Sequence, residues 1–206
     1  MSKRDVLVVG AMRSPIGCGR RDSKLLGITP QDLACRVLGA QFLKVPIPRS
    51  AVESFKLGCV VSLKSSAVTQ GLPREIAIRA GMFNAKSNIA EKVCSSGLRA
   101  VYEAAYSITD EGCDLSIGAG VDVMSGVPNE VNLGALRDPI TGKYMSELSD
   151  IKAGELGFTR EDYDRYALGS YERAKEHILD YYLDGYLATS VIPGNSLTAL
   201  CTTYDQ

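Results

Sequence analysis

Cys94 is the residue with the clearest chemical potential, because it lies where a predicted strand ends and a predicted helix begins. The unpaired N–H groups and the positive end of the dipole at a helix N-terminus stabilise an anion, and the thiolate is the nucleophilic form of cysteine. Gly97 lets a substrate or a neighbouring backbone approach the first helical turn, and Ser95 and Ser96 add hydrogen-bonding groups without bulk. Cys94 can equally be one of six cysteines that pack as small apolar side chains. The local sequence leaves both alternatives open.

Strand and helix patterns alternate through the amino-terminal part of the chain. Short apolar runs predict strands, and apolar residues at helical spacing predict helices. One helix has a strong start signal, with a capping hydroxyl at Thr29, a proline at position 30 and an acid at Asp32. Such alternation favours parallel strands joined by helices, which is an α/β layer fold. The predicted strands are 5–10, 55–61, 88–93 and 115–118, and the predicted helices are 30–44, 71–80 and 95–111, the last with an apolar stripe of Leu98, Val101, Tyr102, Ala105 and Ile108.

The composition of the chain changes after Pro128. Residues 129–143 contain Gly, Pro, Asp and Asn without periodicity and predict an excursion from the sheet, which two helices are expected to follow. The second helix has a capping hydroxyl at Thr159 and an acid at Asp162, and Gly185 lies beyond its end. Its apolar stripe predicts a packed helical face rather than an aromatic ligand site. The stripe consists of Tyr166, Ala167, Tyr171, Ala174, Ile178 and Tyr181.

Composition and charge argue against several classes of function. Lys and Arg total 23 against 24 for Asp and Glu, so the net charge of -1 provides no positive field for a nucleic acid. The apolar runs are far shorter than the roughly 18 residues that a membrane span needs, and no targeting peptide is evident near Met1. The cysteines include no Cys-x-x-Cys pair, so neither a zinc site nor a compact disulfide framework is indicated. We expect a protein of the reducing cytosol without a metal site.

Four motifs, at residues 13–17, 92–100, 120–128 and 144–145, occur in an order that resembles that of the thiolases, a family of coenzyme-A-dependent acyltransferases. Residues 92–100, Lys-Val-Cys-Ser-Ser-Gly-Leu-Arg-Ala, resemble the thiolase active-site signature. Residues 120–128 are similar to the family's Gly-x-Glu-x-Met-Ser-x-x-Pro, and residues 13–17 resemble its Arg-Thr-Pro-Ile-Gly. Tyr144 and Met145 fall where a His-Met pair introduces the family's coenzyme-binding loop region. The resemblance runs in register over about residues 1 to 193, and several motifs in order are far more specific than one.

The resemblance implies roles for four residues. Cys94 would attack the carbonyl of a thioester and accept the acyl group, and its own backbone N–H would help to bind the oxyanion. Leu136, Tyr144 and Met145 match positions that contact the pantetheine arm of coenzyme A. Acyl-CoA and coenzyme A would then be substrates, and no permanently bound cofactor is expected.

The sequence also departs from the thiolase pattern. Glu91 replaces the usual Asn, and a negative charge near the nucleophile would oppose formation of the thiolate. Tyr144 replaces the usual His, and Asp122 replaces the usual Glu. The second half of the family's enzymes supplies a catalytic His and a second Cys, to which neither His177 nor Cys201 corresponds. We expect His177 to be an ordinary residue on a helix.

The sequence thus predicts an α/β, thiolase-like layered fold, one βαβαβαβ half with an inserted, mainly helical loop region. We expect an α/β domain at 1–128, the loop region at 129–193, and a tail or the start of a second half at 194–206. The expected activity is transfer of acyl groups, specifically acetyl groups, between coenzyme A thioesters. The alternatives are a catalytically incomplete fragment that partners a full-length thiolase, and a β-ketoacyl synthase relative that depends on acyl carrier protein. We expect a homo-oligomer or a complex with a longer thiolase, because a single half would expose apolar faces.

Overall fold

The computed structural model of the 206-residue chain describes residues 5–17, 25–60, 71–124, 127, 133–134 and 136–183. Parallel strands and helices alternate along it, which confirms the predicted α/β fold class. Contacts divide the chain into two compact units: the described residues up to Val127 belong to the first, and Pro128–Asp184 form the second. The strands are β1 (Ser54–Gly58), β2 (Lys86–Ala90) and β3 (Ser116–Gly120), and the helices are α1 (Pro30–Lys44), α2 (Leu72–Arg79), α3 (Ser96–Thr109), α4 (Met145–Glu155) and α5 (Arg160–Leu183), with a short 3-10 turn at Arg49–Ala51.

The three strands form one parallel sheet in the order β2-β1-β3. The last residue of the central strand, Gly58, is the register partner of Ala90 in β2 and of Gly120 in β3. The carboxyl ends of all three strands therefore lie along one edge of the sheet, the edge at which open α/β sheets bind their ligands. The segment that carries Cys94 leaves this edge directly after β2.

The two faces of the sheet are packed differently. On one face, Phe55 and Leu57 of β1 are fully buried in a core to which α1 and α2 contribute. Burial of each such side chain contributes about 1.5–3 kcal/mol. On the other face, the strands present serine and glycine to α3, which meets them with the buried side chains of Ala100, Ala104 and Ser107. The sheet thus has a thick apolar layer on one side and very close helix packing on the other.

α3 directs its larger apolar side chains away from the sheet. Leu98, Val101 and Tyr102, which belong to the predicted apolar stripe, are 76%, 49% and 61% exposed. The stripe is therefore not the face that packs on the strands. The reason is steric, because a Cβ atom at Gly118 of β3 would already lie 2.5 Å from the Cα atom of Val101. Only small side chains fit between a helix and a sheet at this separation.

α1 begins and ends where the sequence predicts. Thr29 Oγ1 accepts a hydrogen bond from the backbone N–H of Asp32 at 3.1 Å, and Pro30 occupies the first helical position. The Asp32 carboxylate also pairs with the guanidinium of Arg79 in α2. The hydrogen bond from Arg79, followed by the one with Thr29, holds the pKa of Asp32 below its usual value.

Residues 5–10 are not paired as a strand, in contrast to the prediction. Leu7 and Val8 are 79% and 85% exposed, and the described strands pair only with one another. An apolar run favours a strand locally, but strand formation also needs a neighbour that the local sequence does not specify. The predicted third strand also ends early, at Ala90 rather than at residue 93, because the chain enters a left-handed turn there.

The second unit contains α4 and α5. The predicted cap of α5 is confirmed: Thr159 Oγ1 donates to Asp162 Oδ2 at 2.8 Å, and the Asp162 backbone N–H lies 3.3 Å from Thr159 Oγ1. The predicted packing of the α5 stripe is wrong, because Tyr166 and Tyr171 are 76% and 48% exposed; the last two stripe residues and Gly185 lie outside the described side chains. Periodicity identifies an apolar face but not the surface that would cover it. No helix of the described residues is long and apolar enough to cross a membrane.

Candidate active site

Cys94 lies in the turn that joins β2 to α3, at the carboxyl edge of the sheet. Its side chain is exposed, whereas Cys35 is half-buried and Cys59 and Cys113 are buried. Burial raises the pKa of the Cys35 thiol and the pKa of the Cys113 thiol, so both favour the protonated form, which is the less nucleophilic one. Among the cysteines of the described residues, Cys94 is therefore the one most open to an electrophile.

The backbone of this turn is strained at Val93. Its φ of 48° lies in the left-handed region, and it is the one non-glycine residue with a positive φ in the described part of the chain. This conformation costs a β-branched residue about 1–3 kcal/mol. Two tight turns overlap here, because Ser95 N donates to Lys92 O and Ser96 N donates to Val93 O, each at 3.0 Å. Together they reverse the chain between β2 and α3 and leave Cys94 exposed.

The Ser96 side chain closes the turn from within. It is 3% exposed, and its Oγ accepts a hydrogen bond from Lys92 N at 2.7 Å and donates one to Val93 O at 2.6 Å. The hydroxyl therefore uses both its donor and its acceptor capacity on residues that precede Cys94. From the sequence we expected only a small polar residue here. The sequence gives no signal for this role, because it depends on a left-handed backbone at Val93, and β-branched residues rarely adopt that conformation.

Glycines bring α3 very close to the sheet at this edge. A Cβ atom at Gly58 would lie 2.4 Å from Ser96 C and 2.5 Å from Gly97 N, distances that real Cβ atoms essentially never show. A Cβ atom at Gly120 would lie 3.1 Å from Gly97 Cα. The ends of β1 and β3 thus pack on the start of α3 backbone to backbone. Glycine inside a predicted strand, as at Gly58, or just after one, as at Gly120, is the sequence signal for such an approach, and we missed it.

The N-terminus of α3 is not capped by a side chain. Ser95 occupies the N-cap position, but its side chain makes no capping hydrogen bond. An uncapped helix end presents backbone N–H groups and the positive end of the helix dipole, which can stabilise a thiolate or a developing oxyanion. This arrangement suits a nucleophile at Cys94.

Two of the residues that depart from the thiolase pattern lie near this edge. Glu91 is exposed, and its Oε1 accepts a hydrogen bond from Val93 N at 3.3 Å. Asp122 follows β3, and its Oδ2 accepts a hydrogen bond from Val60 N at 3.2 Å while Cys59 Sγ lies 3.7 Å from its Oδ1. Asp122 therefore joins the chain after β3 to the chain after β1, and Glu91 places a negative charge on the turn itself.

The three predicted pantetheine-contacting residues lie together in the second unit. Met145 N donates to Leu136 O at 2.9 Å, and the guanidinium of Arg137 lies 5.6 Å from the centroid of the Tyr144 ring. Tyr144 N donates to Glu147 Oε2 at 2.8 Å at the start of α4. The side chains of all three are between 39% and 42% exposed. They form a partly exposed apolar and aromatic surface, which is a suitable lining for an apolar ligand arm.

The remaining candidate residues belong to other parts of the chain. His177 lies in α5 with a side chain that is 52% exposed, and it belongs to the second unit, whereas Cys94 belongs to the first. Cys18 and Cys201 lie outside the described residues. Within the described ranges, no group of three or more His, Cys, Asp or Glu residues could hold a metal ion.

Comparison with known proteins assigns the chain to a family. Residues 6–193 match the family described as thiolase, N-terminal domain. The chain belongs to the thiolase family. An Escherichia coli (strain K12) protein named "Probable acetyl-CoA acetyltransferase" is 30% identical to it over 194 residues, which are 85% of this chain and 48% of that protein. The mitochondrial acetyl-CoA acetyltransferase of Rattus norvegicus is 28% identical over 193 residues, 84% of this chain and 43% of that protein.

Solved thiolase structures share the fold. The crystal structure of the Bacillus anthracis acetyl-CoA acetyltransferase matches with a TM-score of 0.75 and 25% identity, over 90% of this chain and 50% of that one. Human mitochondrial 3-ketoacyl-CoA thiolase, solved in complex with CoA, matches with a TM-score of 0.77 and 21% identity, over 86% of this chain and 49% of that one. This thiolase chain therefore spans about half the length of the relatives it matches.

Proposed function

We propose that this chain transfers acyl groups, specifically acetyl groups, between coenzyme A thioesters through an acyl intermediate on Cys94. The observation that carries the proposal is the exposed Cys94 thiol beside the uncapped N-terminus of α3. Membership of the thiolase family supports the reaction class. Two similar proteins are named acetyl-CoA acetyltransferases, which supports acetyl as the group transferred.

The proposed reaction has two steps. In the first, Cys94 Sγ attacks the thioester carbonyl carbon, a new C–S bond forms, the C–S bond to coenzyme A breaks, and the coenzyme leaves with the thiol proton. The negative charge on the carbonyl oxygen would be stabilised by the Cys94 backbone N–H and the α3 dipole. In the second step the C–S bond between the acyl group and Cys94 breaks. The acyl carbon forms either a C–C bond to the α-carbon of an acceptor thioester, which gives up a proton, or a C–S bond to coenzyme A, which gives up its thiol proton, and Cys94 recovers a proton. Acyl-CoA and coenzyme A are thus substrates, and the proposal includes no permanently bound cofactor.

The acylation step has a direct test. The chain is incubated with acetyl-CoA, and peptides are mapped by mass spectrometry for one added acetyl group. We expect acetylation of the Cys94 peptide, no acetylation after Cys94→Ala, and unchanged acetylation after Cys35→Ala, because Cys35 is half-buried and its pKa is raised by that burial. Acetylation that survives Cys94→Ala, or none in the unsubstituted chain, would overturn the proposal.

We also propose that Leu136, Tyr144 and Met145 contact the pantetheine arm. Their shared, partly exposed surface in the second unit supports this role. Binding of a remote part of the substrate affects ground state and transition state equally, so Met145→Ala should raise KM for acetyl-CoA with little change in kcat. A lower kcat at unchanged KM would contradict the assignment.

A catalytically incomplete thiolase is the alternative that a specific observation favours. The sequence contains one histidine, His177, which lies within α5 and in none of the segments that resemble the family's motifs. Without a positioned base, proton abstraction loses about 10²- to 10⁴-fold in rate. On this alternative Cys94 is acetylated, but coenzyme-A-dependent cleavage of acetoacetyl-CoA is absent. Cleavage that depends on Cys94 would reject the alternative and support full thiolase activity.

The proposed partner is a second copy of the chain, bound through the outer face of α3. This face exposes Leu98, Val101 and Tyr102, an apolar patch of a kind that soluble monomers seldom leave in water. Arg99 and Glu103 border the face and are joined by a hydrogen bond of 2.8 Å. A two-fold antiparallel pair of α3 helices centred on Val101 would place Arg99 of each copy beside Glu103 of the other, so that no like charges meet.

The partner proposal predicts dimers by light scattering at micromolar concentration. Leu98→Asp should yield monomers, whereas Leu43→Asp should not, because Leu43 is equally exposed but lies on α1. A stable monomer of the unsubstituted chain would reject self-association. Association with a full-length thiolase but not with itself would favour the alternative of a complex with a longer relative.

We further propose a cytosolic location. The six cysteines of the sequence are dispersed and include no Cys-x-x-Cys pair, a pattern that indicates no compact disulfide framework and is expected in a reducing compartment. The rat relative is named as mitochondrial, so the test is fractionation of cells that express the protein. Recovery in the mitochondrial matrix would reject the proposal.

A further inference from the structure

Val93 holds a backbone conformation that its own side chain disfavours. Its φ of 48° is in the left-handed region, where a β-branched residue is rarely found. A valine free to relax would return to a negative φ, and the peptide that leads into Cys94 would rotate with it. Strain of this kind persists only where surrounding contacts over-determine the backbone.

Ser96 provides contacts on both sides of Val93. Its Oγ accepts from the N–H of the preceding residue, Lys92, at 2.7 Å and donates to the carbonyl of Val93 at 2.6 Å. The side chain is 3% exposed, so solvent has little access to compete for these groups. The hydroxyl thus links the peptide group before Lys92 to the peptide group after Val93, so the bridge constrains the backbone torsions of both residues, including the φ of Val93.

The position of Ser96 is itself fixed by the sheet. A Cβ atom at Gly58 would lie 2.4 Å from Ser96 C and 2.5 Å from Ser96 O, so the helix start lies directly on the end of β1. A backbone in such close contact cannot shift toward the sheet. The contact with β1 therefore limits movement of the Ser96 backbone, and with it movement of the hydroxyl that bonds to the turn.

We propose that Ser96 is a positioning residue for Cys94, whose hydroxyl holds Val93 in the left-handed conformation and thereby places the thiol. The inference rests on the proposed function, in which Cys94 is the acyl carrier. Ser96 does not touch the substrate. Its effect passes from β1 through the helix start to the turn, and it determines where the thiol stands relative to the oxyanion-binding N–H groups.

The test compares two reactions of the same thiol. Alkylation by iodoacetamide needs only an exposed thiolate, whereas acetylation by acetyl-CoA also needs the thiol aligned with the oxyanion site. We expect Ser96→Ala to slow acetylation of Cys94 by on the order of 10- to 100-fold while alkylation stays nearly unchanged. Ser95→Ala is the matched control, because that neighbouring hydroxyl is exposed and makes no capping bond.

A second substitution tests the strain itself. In the Ser96→Ala background, Val93→Gly should restore much of the acetylation rate, because glycine adopts a positive φ without steric cost. No restoration would overturn the inference, as would equal acetylation of the Ser96→Ala variant and the unsubstituted chain. Parallel changes in both reactions, with new alkylation of the buried Cys59 or Cys113, would also overturn it, because that pattern reports general unfolding.

The inference and the proposed function fail in different ways. If the unsubstituted chain is alkylated but never acetylated, the proposed function is rejected, and hydrogen exchange at the Lys92 amide then decides the inference. Ser96→Ala must accelerate that exchange and Ser95→Ala must not, because only Ser96 accepts a hydrogen bond from Lys92 N. Unchanged exchange at Lys92 in the Ser96→Ala variant overturns the inference.

Discussion

Helices α1 and α3 belong to the same compact unit, but their first turns are built in opposite ways. At α1, Thr29 caps the N–H of Asp32 at 3.1 Å, and the Asp32 carboxylate pairs with Arg79. At α3, Ser95 caps nothing, and the residue that leads into the turn, Val93, is strained. At the start of α1, side chains satisfy the hydrogen-bonding capacity of the first turn. At the start of α3, no side chain caps the backbone N–H groups, and the Cys94 thiol beside them is exposed.

The difference shows how stability and reactivity are separated within one α/β unit. A side-chain cap contributes about 1 kcal/mol, and α3 lacks that contribution. It is held instead by backbone contact with Gly58 and by the buried hydroxyl of Ser96. A side-chain cap on α3 would satisfy N–H groups of the first turn whose partial positive charge otherwise favours an anion beside Cys94. Departures from good local design are expected at functional sites, and the turn around Cys94 fits that rule.

Gly58→Ala should have the largest effect on this comparison. The new Cβ would lie 2.4 Å from Ser96 C and 2.5 Å from Gly97 N, and backbone atoms cannot rotate away as a side chain can. α3 must then move off the sheet. We expect a loss of stability at the upper end of the about 1–3 kcal/mol typical of overpacking, together with slower acetylation of Cys94. Urea unfolding followed by circular dichroism measures the first effect, and peptide mapping measures the second.

Gly39→Ala is the matched control, since Gly39 lies inside α1 and an added Cβ would have no neighbour within 4 Å. Alanine is favoured over glycine in a helix by up to about 1 kcal/mol, so this substitution should stabilise the chain. Equal destabilisation by Gly58→Ala and Gly39→Ala would show that the close contact between α3 and the sheet is not the cause of the stability loss.

Thr29→Ala should produce the next largest effect, on stability alone. Loss of an N-cap costs about 1 kcal/mol, so the unfolding midpoint in urea should fall. Acetylation of Cys94 should be unchanged, because α1 makes no contribution to the turn after β2. Ser95→Ala should change stability by less than about 0.5 kcal/mol, as expected for an exposed side chain without a capping bond. The comparison fails if Ser95→Ala destabilises the chain as much as Thr29→Ala.

Local features of the fold and site were predictable from the sequence, and non-local ones were not. The bounds of α1 and the place of Cys94 between a strand and a helix follow from capping residues and apolar spacing near each site. The missing strand at 5–10 and the outward apolar face of α3 depend on partners distant in sequence. The role of Ser96 depends on a left-handed Val93, a conformation that no propensity assigns to valine.

Asp32→Asn should show a smaller, pH-dependent effect on α1. The hydrogen bonds from Arg79 and with Thr29 lower the pKa of Asp32, so the folded-state pKa lies below the unfolded value. The ionised carboxylate therefore adds stability above the unfolded value, and this contribution is lost as the pH falls through the folded-state pKa. The free energies of unfolding of the unsubstituted chain and of Asp32→Asn should differ at neutral pH. They should converge as the pH falls below 3.8, the pKa of an unperturbed Asp, and through the lower folded-state pKa of Asp32.

The difference for Asp32→Asn should be modest at neutral pH, because an ion pair this exposed is screened by solvent. Urea titrations at a series of pH values measure it. A difference that grows toward acid pH would mean that the carboxylate is not stabilised in the folded chain.

Glu91→Asn should have the smallest effect, and it acts at the other helix. The Glu91 carboxylate accepts a hydrogen bond from Val93 N at 3.3 Å, so a negative charge is held on the turn that carries Cys94. A nearby negative charge disfavours a thiolate, and interactions of exposed charges are worth about 0.2–1 kcal/mol. Removal of the charge should therefore speed alkylation of Cys94 by roughly one-and-a-half- to fivefold.

The same residue can also act through its hydrogen bond, and two variants separate the causes. Glu91→Gln removes the charge but keeps the chain length and the acceptor oxygen, whereas Glu91→Asn also shortens the side chain. If charge is the cause, both variants react faster than the unsubstituted chain, and added salt narrows the gap because exposed charges are screened over about 10 Å at 0.1 M. If the bond to Val93 N matters more, Glu91→Gln retains the turn and Glu91→Asn loosens it, so acetylation falls in Glu91→Asn alone. Slower alkylation of both variants would show that the Glu91 charge does not oppose the thiolate. The presence of Glu91 in place of the family's usual Asn, beside the reactive start of α3, would then need a different explanation.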